Sequence, residues 1–204
     1  MENIARAVSR IKKLGIEPDV SLGVLGDEEI DMLCDAGVSM FHHNLETSKR
    51  FYKNITKRIN WDEKFDFVKK LKNKGLKVCS GGLLGMGEEK EDIIDLAFTL
   101  KDLDVDSVPI NFLIPIPGTP LGSRPLLHPL MALKILCLFR FVFPRSFIRI
   151  CGGREKTLRD LIALSAFIVD GMMVGGYLTR PGRSVDLDVR MVEDLGFRLE
   201  GSNP

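Results

Sequence analysis

Leu76-Lys77-Val78-Cys79-Ser80 and Ser107-Val108-Pro109-Ile110-Asn111-Phe112-Leu113 are two short apolar runs of strand length. Between them the chain reads as a glycine-rich loop, Gly81-Gly82-Leu83-Leu84-Gly85-Met86-Gly87-Glu88, and then a helix over 89–103. Strand, helix and strand joined by short links make the unit of a parallel sheet. Parallel neighbours need a crossover, and a helix supplies it.

The same unit repeats in both directions. Upstream, Ile4, Val8, Ile11 and Leu14 recur at helical spacing until Gly15, and a strand covers 19–23. A helix over 27–36 closes at Gly37, a strand covers 38–42, and a helix over 61–73 lines up Phe65, Val68 and Leu71 before Gly75. Downstream, a proline-rich loop from Pro115 to Pro120 leads into a long apolar helix over 128–143. Strand 147–151, helix 157–169, strand 171–175 and helix 185–195 complete the chain.

The alternation alone fits a doubly wound sheet or a barrel. Six units in 204 residues are about 34 residues each, so eight would take roughly 270, inside the usual barrel range of about 200 to 400. The expected fold is therefore α/β: a partial TIM-type (β/α) barrel with about six of eight βα units, one domain over 1–204. Such a sheet has two open edges.

Hydrophobic residues make up 45% and charged residues 28%, with a net charge of +1, so nothing electrostatic points to nucleic acid or a membrane surface. No run approaches the ~18 apolar residues of a membrane span, and no secretory signal opens the sequence. Cys34, Cys79, Cys137 and Cys151 form no CxxC pair, which predicts free thiols in a reducing cytoplasm.

In a barrel, chemistry collects where strands end and loops begin. Polar residues stand at those points: His42-His43-Asn44-Leu45-Glu46-Thr47-Ser48, Cys79-Ser80 before the glycines, Asn111, and Arg149 inside an apolar strand. A buried arginine needs a partner; Glu155 is one reading. The glycines do not spell GxGxxG at a helix start, so no dinucleotide site is expected. Adjacent histidines are also common in plain loops, Asn111 could satisfy a backbone group, and Cys34 and Cys137 read as core.

These residues resemble the biotin synthase family of radical S-adenosylmethionine enzymes. Asn44-Leu45-Glu46-Thr47-Ser48 with Phe51-Tyr52 is similar to its NHNLDTS…FY. Lys77–Gly82 is similar to KVCSGG, Gly85–Glu88 to GLGE, Ser107–Asn111 to SVPIN and Pro117–Leu121 to KGTPL. Ile148-Arg149 and Gly153-Arg154-Glu155 resemble VR…GRE, and 175–179 resembles the family's last strand. The similarity runs in order from about Gly15 to Phe197, with the biotin and thiamin synthesis region expected at roughly 107–197.

The resemblance implies a carboxyl-side portion of a barrel that makes a 5′-deoxyadenosyl radical from S-adenosylmethionine and inserts sulfur into dethiobiotin. Carried over by position, Asn44 and Glu46 would hold the ribose hydroxyls of S-adenosylmethionine, and Lys64, where the family has arginine, its carboxylate. His42 and Asn111 would contact the substrate. Cys79 and Arg149 would ligate an auxiliary iron–sulfur cluster, with Cys151 a substitute ligand. Asp19 stands where the family has a further cysteine ligand, and the CxxxCxxC that holds the radical-generating four-iron four-sulfur cluster is not in these residues. The implied partner is a dethiobiotin-like small molecule, with a second copy of the chain or an amino-terminal segment at the open side. A relative acting on another small molecule, or a degenerate non-catalytic fragment or subunit, fits the same departures.

Overall fold

The computed structural model describes residues 1–176 and 181–199. Helix α1 (Glu2–Lys13) is followed by β1 (Asp19–Val20), α2 (Asp27–Asp35), β2 (Met40–His42), α3 (Lys49–Tyr52) and α4 (Trp61–Asn73). Next come β3 (Val78–Cys79), β4 (Gly82–Leu84), α5 (Lys90–Asp102), β5 (Ser107–Phe112) and α6 (Pro129–Val142). The chain continues through β6 (Phe147–Ile150), α7 (Arg154–Leu158), a 3-10 turn (Arg159–Leu161), α8 (Ile162–Ser165), β7 (Gly171–Met172) and α9 (Val185–Asp194).

The strands form one parallel sheet in the order β1-β2-β3-β5-β6-β7, with β4 also against β5. Six strand positions in sequence order, each backed by helix, make an open partial barrel. Among the described residues no strand joins β1 to β7.

The third position is one strand interrupted. Cys79 pairs with Ser107 and Gly82 with Ile110, the same offset, so the register does not slip. The break falls opposite Pro109, which has no N–H to donate to the neighbouring strand.

Register and period two sort the side chains. Val20, Phe41, Val78, Val108, Ile110, Phe112, Ile148 and Ile150 face the helices and are buried. Asp19, His42, Cys79, Asn111 and Arg149 take the alternate positions and face the lumen. Covering helices follow ordinary signals. Asn60 Oδ1 accepts from Asp62 N–H at 3.0 Å to start α4, Asp62 and Glu63 sit in its first turn, and Gly75 takes a left-handed φ of 75° beyond its end. Its Trp61, Phe67, Val68 and Leu71 go into the core. Helix α6 starts with Pro129 at its first position and buries Ala132, Leu133, Ile135, Leu136, Phe139 and Val142.

Two expectations are corrected. The helix expected over 157–169 starts at Arg154 and breaks at Arg159, whose φ is 51°. Strands expected to be five residues long pair over only two to four residues at several positions: β1 and β7 stop early, and β2 and β3 begin two residues late. Of the stretch 175–179, residues 177–179 lie outside the described residues. No helix among the described residues is long and apolar enough to cross a membrane.

Candidate active site

The mouth of the lumen is built where β2 meets the glycines after β3. Leu45 and Glu46 N–H both donate to Gly81 O, at 3.1 and 3.2 Å, and Leu83 N–H donates to Glu46 O at 2.9 Å. Two glycines are needed here, Gly81 against β5 and Gly82 against the Glu46 loop. A Cβ on Gly81 would lie 1.9 Å from Pro109 O, and one on Gly82 2.5 Å from Glu46 O. Glu46 itself has a φ of 71°, a conformation a non-glycine residue holds only when its surroundings impose it.

Asn44 Oδ1 accepts from Gly81 N–H at 3.0 Å, which leaves its amide N–H groups for other partners. Burial raises the Glu46 carboxyl above the usual range, opposed by Lys64 and by a hydrogen bond from Asn44. Burial lowers the Lys64 ammonium, opposed by Glu46. The Tyr52 phenol is raised, first by burial and then by the Glu46 charge. Asn44, Lys64 and Tyr52 thus each act on, or feel, the Glu46 carboxylate.

Deeper in the lumen, the Cys79 thiol is the meeting point. Arg149 Nη2 donates to Cys79 Sγ at 2.9 Å, and His42 Nδ1 lies 3.2 Å from the same sulfur. Arg149 Nε is buried with no partner. Burial raises Cys79, and Arg149 only partly offsets it. Cys151 is pushed up to about 11 by burial. His42 is lowered by burial, then by Arg149 and Lys64. Asp19 is raised by burial, with Arg149 opposing. These thiols are held as thiols near neutral pH.

The other readings sort out. His43 points away from the lumen, edge-on to Phe67 with ring centroids 5.0 Å apart, and burial lowers it to about 4. Asn111 Oδ1 accepts from Gly152 N–H at 3.0 Å and its Nδ2 is 3.4 Å from Gly82 O, so it ties β4, β5 and the end of β6 together. Glu155 is not the partner of Arg149; it accepts from Arg183 N–H at 3.3 Å. Sequence reasoning missed Asp92, on which Ser48 and Arg50 converge, and the buried pair Arg154–Asp188. The Ser48 cap and the three-residue spacing of Glu89 and Asp92 were the visible signals for the first; nothing local announced the second. Among the described residues, no three His, Cys, Asp or Glu side chains gather to hold a metal ion.

Residues 1–100 match the radical SAM superfamily, and residues 109–198 match the biotin and thiamin synthesis associated domain. The chain is 45% identical over 197 residues to biotin synthase of Aquifex aeolicus, covering 96% of this chain and 59% of that protein. It is 48% identical over 200 residues to biotin synthase of a Sulfurihydrogenibium species, covering 98% and 60%. The chain thus spans about 60% of the length of these relatives. A crystal structure of methylornithine synthase superposes with a TM-score of 0.80 at 21% identity, covering 97% of this chain and 63% of that one, and shares the fold. Both halves of the sequence and its near-complete alignment with these relatives lead to one conclusion: the chain is a homologue of biotin synthases, its first half matching the radical SAM superfamily and its second the biotin and thiamin synthesis associated domain.

Proposed function

We propose that this chain supplies the S-adenosylmethionine-binding mouth and the substrate-facing lumen of an enzyme that inserts sulfur into dethiobiotin. The kinship with proteins named biotin synthase carries the reading, and the grouping of Asn44, Glu46 and Lys64 at one end of the lumen supports it.

The donor chemistry fits S-adenosylmethionine. Glu46 would present acceptors and Asn44 its remaining amide hydrogen to paired ribose hydroxyls, and Lys64 a cation to the amino acid carboxylate. His42 on β2 and Asn111 on β5, two strand positions apart, would face the dethiobiotin-like substrate from the lumen side of the sheet, although both also bond within the protein. The auxiliary cluster fits less well. Cys79 offers one sulfur beside Arg149 and Cys151, but Asp19 offers a hard oxygen where a thiolate would serve, and no group of three ligands gathers among the described residues. No step is therefore assigned to a cluster held by these residues. The unbonded thiols suit the cytoplasm.

Titrating S-adenosylmethionine into the chain and into Glu46→Gln tests the mouth. A charge-assisted hydrogen bond contributes about 1.5–3 kcal/mol, so the variant should bind roughly tenfold to a hundredfold more weakly. Equal affinity would remove Glu46 from the site.

A further inference from the structure

The Glu46 loop is gripped from behind by a helix that does not reach the lumen. Four hydrogen bonds converge on the Asp92 carboxylate in the first turn of α5. Ser48 Oγ–H and Arg50 Nε donate to Oδ1 at 2.6 and 2.9 Å. Arg50 Nη2 and Glu89 N–H donate to Oδ2 at 2.8 and 2.9 Å. Asp92 and Ser48 are both buried. Ser48 Oγ also accepts from Phe51 N–H at 3.0 Å, so the atom that bonds Asp92 starts α3. Arg50 reaches Glu89 as well, at 2.7 Å.

This network takes hold two residues after Glu46. On the other side, Gly81 and Leu83 fix the Glu46 backbone at N–H and C=O. Thr47 O is held between them by Trp61 Nε1–H at 2.9 Å. A left-handed glutamate persists only where flanking contacts over-determine it, and here those contacts come from β3–β4 in front and α5 behind. Loosening either side lets the backbone at Glu46 return to an ordinary conformation, which turns its carboxylate away from Lys64.

We infer that Asp92 is a positioning residue for the cofactor: through Ser48 and Arg50 it holds the 46–52 loop so that the Glu46 carboxylate faces S-adenosylmethionine, without touching it. The inference rests on the cofactor reading above. Asp92→Asn keeps the shape but puts an amide where only donors converge. Ser48→Ala removes one bond, and Leu136→Ala disturbs the core on α6 away from the site.

The test is S-adenosylmethionine affinity by calorimetry together with amide hydrogen exchange over 46–52. Asp92→Asn should weaken binding at least about tenfold, Ser48→Ala by a smaller factor, and both should speed exchange in that loop. Leu136→Ala should melt earlier yet bind as the unmodified chain does. Unmodified affinity in Asp92→Asn and Ser48→Ala overturns the inference, whatever happens to their melting. Ser48→Ala decides alone if Asp92→Asn does not fold. No binding by the unmodified chain would instead overturn the cofactor reading on which the inference stands.

Discussion

Reconstituted with iron and sulfide and reduced with dithionite, the 204-residue polypeptide on its own should make no catalytic amount of 5′-deoxyadenosine from S-adenosylmethionine. One-electron reduction of the sulfonium needs a four-iron cluster with one open site, held by closely grouped thiolates. The four cysteines are dispersed. Cys34 lies on α2 and Cys137 on α6, both outside the lumen, while Cys79 and Cys151 sit inside it. Turnover above background would show that some other grouping of these side chains holds a competent cluster.

The largest stability loss should come from Asp188→Ala. Its partner Arg154 is fully buried, 0% exposed, and Asp188 is 1% exposed. Arg154 Nη1 and Nη2 both donate to the Asp188 carboxylate, and Nε donates to Met173 O at 2.8 Å. Arg183 Nε adds a second cation 3.0 Å from Asp188. Together they fasten α9 to the turn after β6 and to the end of β7.

Removing Asp188 leaves the Arg154 guanidinium buried. Glu155 is near, at 3.8 Å from Nη2, but does not reach around it. Stranding a buried charge costs about 3–5 kcal/mol, against a total stability of about 5–15. Urea unfolding should register that loss. The double replacement Arg154→Met with Asp188→Leu should lose much less, because the fully buried charge goes with its partner and only the part-exposed Arg183 is left without its carboxylate. A single-variant loss under about 1 kcal/mol would mean that water reaches the pair.

Much of this architecture is legible in the sequence because it rests on local periodicity. The apolar stripe Phe65-Val68-Leu71 and the closing Gly75 mark α4, and the helix forms over Trp61–Asn73. The lumen side of the strands follows from parity once one lumen residue is known. What stays hidden depends on contacts distant in sequence. Arg154 and Asp188 are far apart along the chain, and neither position advertises burial. Asn111 Oδ1 accepts from the distant Gly152 N–H, and Glu46 is left-handed because β3 and β4 pull its peptide groups in. The α7 break at Arg159 is a backbone choice made against residue type, since arginine is a good helix former.

Sulfur insertion by this lumen is the central claim, and one assay bears on it most directly. A segment carrying CxxxCxxC would be fused ahead of Met1, and the reconstituted, reduced protein given S-adenosylmethionine and dethiobiotin. Formation of both 5′-deoxyadenosine and biotin, each lost in Glu46→Ala, is the expected result. 5′-Deoxyadenosine formed without any biotin would contradict it.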